Sequence, residues 1–326
     1  MMRRRTFVAG MSALATGVVL AQPRPEAARI VRVGILRPTA PATTDFPHTI
    51  SSALREFGYI EGRNASFELA YAGGNVDRLP ALARDLVHKR MDVIVTIGSG
   101  ATLAVKEASA TVPIVMFGNF DPLAMGIVAS LSRPGGNVTG VLIAADGTLA
   151  GKKLELIREA VPRAARIALL VPDDPNVRHQ VKEVEEAAAR LGIALPVAVV
   201  RGGDYEAAFR AIAGERVQAL FVGATTFFVR DRAKVIALAT RYRLPAIYEW
   251  PEQVEDGGLM AYGASLKALY RRVAFYVDRI IKGTPPGDLP VEQPTTYELA
   301  VNLRSARAIG LVLPQALLLR ADRVIE

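Results

Sequence analysis

Gly98-Ser99-Gly100 is the segment of this chain whose residue types and spacing come nearest to a chemical purpose. It follows a β-branched run, Asp92 to Ile97, and opens a stretch of helical spacing that ends near Ala110. Glycine lets the backbone approach a ligand closely, a helix N-terminus leaves N–H groups unpaired, and Ser99 adds a hydroxyl. That combination suits a carboxylate or another small anion. Two other readings use the same residues. One is the start of a dinucleotide fingerprint with Asp121 about twenty residues on, although Leu103 stands where its third glycine belongs. The other is turn geometry alone.

Further candidates sit at the ends of other β-branched runs. Arg37-Pro38-Thr39-Ala40 and Asn119-Phe120-Asp121-Pro122 end runs in the first half. Asp173-Asp174-Pro175-Asn176, Ala224-Thr225-Thr226-Phe227 and Glu249-Trp250 end runs in the second. Asp121 either meets a ligand ammonium or caps the helix after Pro122. Phe227, Trp250 and Tyr262 either flank a flat ligand or pack. Glu249 and Asp121 are the one conceivable acid/base pair across a cleft, and no motif supports them.

Much other chemistry is excluded. The chain has no cysteine, hence no disulfide, thiolate nucleophile, thiolate-held zinc or lipidated processing site. His48, His88 and His179 are far apart and fit no local metal pattern, and neither a Gly-x-Ser-x-Gly elbow nor a His-Glu-x-x-His is present. The formal charge of +8 includes Arg3, Arg4 and Arg5, whose removal with an export signal leaves about +5. The remaining basic residues alternate with acids, as in Lys182-Glu183, so no nucleic-acid footprint is expected.

The elements that must position these residues alternate short buried strands with helices, the pattern of a parallel sheet covered on both faces. Val31 to Leu36, Asp92 to Ile97 and Ile114 to Phe117 read as strands, with helices over Ile50–Phe57 and Leu79–His88. The order returns: strands at Arg166–Val171, Leu195–Val200, Val217–Val222 and Ala246–Tyr248, with helices at Val181–Leu191, Tyr205–Ala213 and Val229–Tyr242. Arg32 and Arg166, and Gly58 and Gly192, are each 134 residues apart, and Pro113 and Pro245 are 132 apart. These offsets predict an α/β protein of two doubly wound, Rossmann-like lobes.

Arg133 to Gly140 reads as a turn-rich loop into a crossover strand, Val138 to Ile143. Leu259 to Tyr262 reads as a return strand. Ser265 caps a helix with Val273, Tyr276, Val277 and Ile280 on its apolar face. A strand and helix follow the Pro-rich Pro285–Pro294 segment from Tyr297. The expected division is lobe 1 at 31–142 with 264–296, and lobe 2 at 143–263 with 297–326, joined by a multi-strand hinge. Residues 1–21, with a basic flank, about fifteen apolar residues and Ala21 at the end, read as an export signal of twin-arginine type, and 22–30 as a linker.

Leu54 to Gly62, Asp92 to Val95, Arg133 to Gly140, Leu244 to Tyr248, Gly257 to Gly263, Pro290 to Pro294 and Leu318 to Asp322 carry a resemblance in fixed order. From about Val31 to its C-terminus the chain resembles the ABC transporter substrate-binding protein family, whose members include tryptophan-binding proteins of bacterial importers. The resemblance implies a type I periplasmic binding fold, no catalysis, no cofactor and a ligand between the lobes. Contacts of the family's kind would fall on Thr39, Ser99, Asp121, Asn176 and Thr225. With the strand-end reading, the expected ligand set is Thr39, Gly98, Ser99, Asp121, Asn176, Thr225, Phe227, Glu249 and Tyr262. The expected function is the periplasmic, unlipidated, monomeric solute-binding component of an importer, working with an inner-membrane permease. The solute would be small and polar or zwitterionic, an amino acid or aromatic acid being candidates. The alternatives are a secreted cofactor-dependent enzyme and a sensory binding protein feeding a membrane receptor.

Overall fold

A computed structural model describes residues 29–39, 49–143 and 148–326. The expected export signal and most of the linker lie outside the described residues, as does the loop directly after Thr39.

The first sheet is built from β1 (Val31–Arg37), β2 (Ala65–Tyr71), β3 (Val93–Ile97), β4 (Ile114–Gly118) and β5 (Val138–Leu142). Its spatial order is β2-β1-β3-β4-β5, and every pairing is parallel. β3, β4 and β5 are buried along their whole length, because helices cover both faces and leave no side to solvent. Those helices are α1 (Ile50–Glu56), α2 (Leu79–His88) and α3 (Ser99–Ala108).

The second sheet begins after α4 (Thr148–Ala160), with β6 (Ile167–Pro172), α5 (Arg178–Arg190), β7 (Val197–Val200), α6 (Tyr205–Gly214) and β8 (Ala219–Val222). Next come α7 (Thr226–Arg230), α8 (Arg232–Arg241), β9 (Ala246–Tyr248), α9 (Pro251–Glu255) and β10 (Met260–Gly263). The order β7-β6-β8-β9-β10 reproduces the winding of the first sheet. The chain then returns to the first sheet as α10 (Leu266–Ile281). The N-terminus of α10 is capped by Ser265, which accepts from the Ala268 N–H. Its stripe of Leu269, Val273, Tyr276 and Val277 joins the core of Val33, Val95 and Val115. A last passage adds β11 (Glu298–Asn302), α11 (Leu303–Ala308), α12 (Gln315–Arg320) and β12 (Arg323–Ile325) to the edge of the second sheet. β11 runs antiparallel to β10, so the seven-stranded sheet is mixed. Two lobes of like winding are thus present, with strands and helices crossing between them.

Three local expectations need correction. No strand was expected at β2, which pairs with β1 along seven residues from Val31–Ala65 to Arg37–Tyr71. Its Ser66, Glu68 and alanines are weak strand formers, and only pairing with β1 makes this edge extended. The single helix expected over Val229–Tyr242 begins earlier, at Thr226, and is broken at Asp231. The Asp231 carboxylate accepts from the Tyr205 hydroxyl at 2.7 Å and from Arg230 Nε at 2.9 Å. Burial alone would raise the Asp231 carboxyl, but the hydrogen bonds and charge of these partners outweigh it and hold it below the usual range. Finally, α4, to which no element was assigned, opens the second lobe.

Candidate functional site: an aromatic cleft between two lobes

Strand ends of both sheets meet across one cavity of about 80 Å³. The first lobe contributes Pro38, Ile97 to Ser99 and Phe117 to Phe120, and Ile143 lines it where the chain passes to the second. The second contributes Asp174, Asn176, Val177, Ala224 to Phe227, Val229 and Trp250, and α10 adds Leu266 and Tyr270. In open α/β sheets this is where ligands are expected, beyond the carboxyl ends of the strands.

The sharpest feature is the start of α3. Gly98 adopts φ 87°, ψ 161°, a region open in practice to glycine alone. Its N–H donates to the Phe117 carbonyl at 2.8 Å, and its carbonyl accepts from the Thr102 hydroxyl at 2.9 Å. No side chain caps this helix, so its first N–H groups are available to an acceptor in the cleft. Ser99 is buried and donates its hydroxyl to Asn176 Oδ1 at 3.2 Å, a bond from one lobe to the other. Asn176 is held by Asp174, whose Oδ1 accepts from the Asn176 N–H at 2.9 Å and from Nδ2 at 2.7 Å. Asp174 is the one acidic side chain lining the cavity among the described residues.

The walls are aromatic. Phe117 and Tyr270 pack tilted with ring centroids 5.3 Å apart, and Phe120, Phe227 and Trp250 complete the lining. Burial raises the Tyr270 hydroxyl, opposed by the charge of Arg37 and assisted by that of Glu252. Glu252 itself joins the lobes. From α9 it accepts from the Ser265 hydroxyl at 2.8 Å and the Lys267 N–H at 3.2 Å, at the start of α10.

Of the nine residues expected from sequence, Gly98, Ser99, Asn176, Thr225 and Phe227 come together on this cavity. Thr39 is fully buried beside the lining residue Pro38, and its hydroxyl has no hydrogen-bond partner. The other three are placed elsewhere. Asp121 spends its Oδ1 on the N–H groups of Leu123 at 2.9 Å and Ala124 at 3.0 Å, the cap geometry. Glu249 is buried in an ion pair with Lys153. Tyr262 packs on Tyr297, centroids 6.0 Å apart, in a separate open groove with Lys152 and Arg190. Sequence reasoning did not find Phe117, Leu266 or Tyr270. Tyr270 lies on the apolar stripe of a helix, where nothing in the spacing separates a cleft residue from a core one. Among the described residues no His, Asp and Glu cluster could hold a metal, and no helix is long and apolar enough to cross a membrane.

Known proteins resemble this chain in sequence and in fold. A tyrosine-binding protein of Clostridioides difficile (strain R20291) is 24% identical over 261 residues, covering 79% of this chain and 74% of that protein. A conserved domain protein of Vibrio cholerae has a crystal structure that superposes with a TM-score of 0.79 at 26% identity, covering 91% of this chain and all of its own. The ABC domain of Streptococcus pneumonia in complex with L-Trp gives a TM-score of 0.77 at 23% identity, again over 91% of this chain and all of its own. Residues 34–325 match the family described as ABC transporter substrate binding protein, which covers both sheets and the cleft. The chain belongs to that family of substrate-binding proteins.

Proposed function

We propose that this chain is the periplasmic solute-capturing component of an ABC importer, closing on a small carboxylate-bearing solute and presenting it to an inner-membrane permease without catalysing a reaction. The observation that carries this reading is the uncapped N-terminus of α3 with Ser99 facing Asn176 across an aromatic cleft. Unpaired N–H groups and a hydroxyl supply donors for a carboxylate. Phe117, Phe227 and Tyr270 supply flat apolar walls, and Asp174 keeps an oxygen for an ammonium. An aromatic amino acid or aromatic acid satisfies all three, in keeping with the names of the tyrosine-binding and L-Trp-bound relatives.

A void of about 80 Å³ is far smaller than the roughly 300–1,000 Å³ of ordinary ligand pockets, so the lobes must part to admit such a solute. Ligand then favours closure by binding the closed state more tightly than the open one. In this reading residues 31–142 with 264–296 move against 143–263 with 297–326, the protein acts as a monomer, and residues 1–21 direct export.

The test is a thermal-shift and calorimetric panel of L-tyrosine, L-tryptophan, L-phenylalanine and 4-hydroxyphenylacetate, followed by small-angle scattering with the best binder. Ligand at a hundred times its Kd should stabilise by about 2.7 kcal/mol and reduce the radius of gyration. No binding across the panel, or binding with unchanged dimensions, would sink the reading.

A further inference from the structure

Trp250 is the chain's single tryptophan and lies at the carboxyl end of β9. It is 2% exposed, its indole nitrogen is shielded from solvent, and that nitrogen has no hydrogen-bond acceptor. Among the described residues lining the cleft cavity, no other keeps a buried side-chain polar atom unpartnered. A buried N–H left without an acceptor is costly, more so than an average hydrogen bond is favourable. Native structures rarely tolerate one without a use.

Its place relative to Asn176 fixes what could complete it. Asn176 follows β6 and Trp250 follows β9, and one strand, β8, separates those two in the sheet. Two strand spacings put the two strand ends roughly 10 Å apart. That is on the order of the length of an aromatic amino acid. A ligand whose carboxylate sits at Ser99 and the α3 N-terminus therefore brings its far end, and not its carboxylate, toward the indole.

We propose that Trp250 donates its indole N–H to an oxygen at the distal end of the ligand, so that the cleft selects hydroxyaryl carboxylates over their unsubstituted phenyl counterparts. This rests on the carboxylate-binding reading above. It also gives the indole a role in closure. Closed and empty, the N–H is stranded; closed around a phenolic oxygen, it is paired, so the closed state gains selectively from the right ligand.

L-tyrosine and L-phenylalanine differ only in the phenolic oxygen, as do 4-hydroxyphenylacetate and phenylacetate. Calorimetry on the wild type should show the hydroxylated member of each pair binding more tightly. Trp250→Phe keeps a ring and removes the donor. It should weaken L-tyrosine about tenfold, leave L-phenylalanine within about twofold, and so collapse the preference. The single indole 15N–1H resonance of the wild-type protein gives a second readout that stands even if the variant fails to fold. It should shift with L-tyrosine far more than with L-phenylalanine. Equal wild-type affinities within both pairs, equal weakening of both members by Trp250→Phe, or an indole resonance indifferent to bound L-tyrosine would each overturn the proposal while leaving carboxylate capture intact. Binding of neither pair overturns both.

Discussion

Lys153 and Glu249 are 4% and 2% exposed, and the pair ties α4 to the end of β9 immediately before Trp250. The Lys153 ammonium also lies 4.7 Å from the centre of the Phe221 ring, while Glu249 Oε1 has no hydrogen-bond partner. Attraction in such a place offsets a large desolvation cost, so the pair is most visible when half of it is removed. Lys153→Met should lower unfolding free energy by about 3–5 kcal/mol in urea titration. Lys153→Met combined with Glu249→Leu should recover most of that loss. Additive losses would mean that the two side chains do not act as a pair. Glu249 illustrates what a linear reading can see. Its position at a strand end was legible, but its partner comes from a helix 96 residues earlier, which no local pattern announces.

The start of α3 depends on backbone geometry that a side chain would strain. Gly98→Ala should cost about 1–3 kcal/mol, because φ 87° with ψ 161° is an almost glycine-only conformation. The variant should also weaken carboxylate binding, since relaxing the strain re-aims the first N–H groups of the helix. Equal stability of variant and wild type by thermal melting would count against it. Gly263 is a second such position, for a different reason. A Cβ there would stand 1.9 Å from the Glu249 carbonyl oxygen, so β10 approaches the end of β9 too closely for any side chain. Strands that are buried throughout and almost wholly apolar, such as β3 and β4, were legible because a two-sided parallel sheet needs near-continuous apolar runs. β2 was not, because at the edge its extended form is imposed by its neighbour. The break at Asp231 was not either, because Tyr205, on a different helix, helps to make it.

At the scale of the whole molecule, side-chain hydrogen bonds among the described residues run from one lobe to the other. Ser99 to Asn176 spans the cleft, and Glu252 to Ser265 and Lys267 spans the crossing into α10. Ala224, Val229 and Trp250 of the second lobe pack into the same apolar cluster as Val95, Phe117 and Leu266, so the cleft floor is continuous with the first lobe's core. Asn176→Ala removes the polar latch and leaves that apolar floor. It should increase the radius of gyration of the empty protein in small-angle scattering and weaken aromatic carboxylates about tenfold through lost closure. Unchanged scattering and affinity would mean that the Ser99–Asn176 bond does not hold the lobes together in solution.

The two-fold α/β plan, the family and the strand ends that border the cleft were all readable from the sequence. Periodicity and turn residues are local, and a winding repeated at offsets of 132 to 134 residues is readable without coordinates. Tertiary structure alone decided which strand-end residues share a cavity. It sent Asp121 to a cap, Glu249 to Lys153 and Tyr262 to Tyr297, and brought Tyr270 in from the side of a helix. The physical reason is that a polar or aromatic side chain takes whichever partner the opposing element presents. For Glu249 and Tyr262 that partner lies on a segment distant in sequence, whereas Asp121 takes the local cap that its place before Pro122 already allowed.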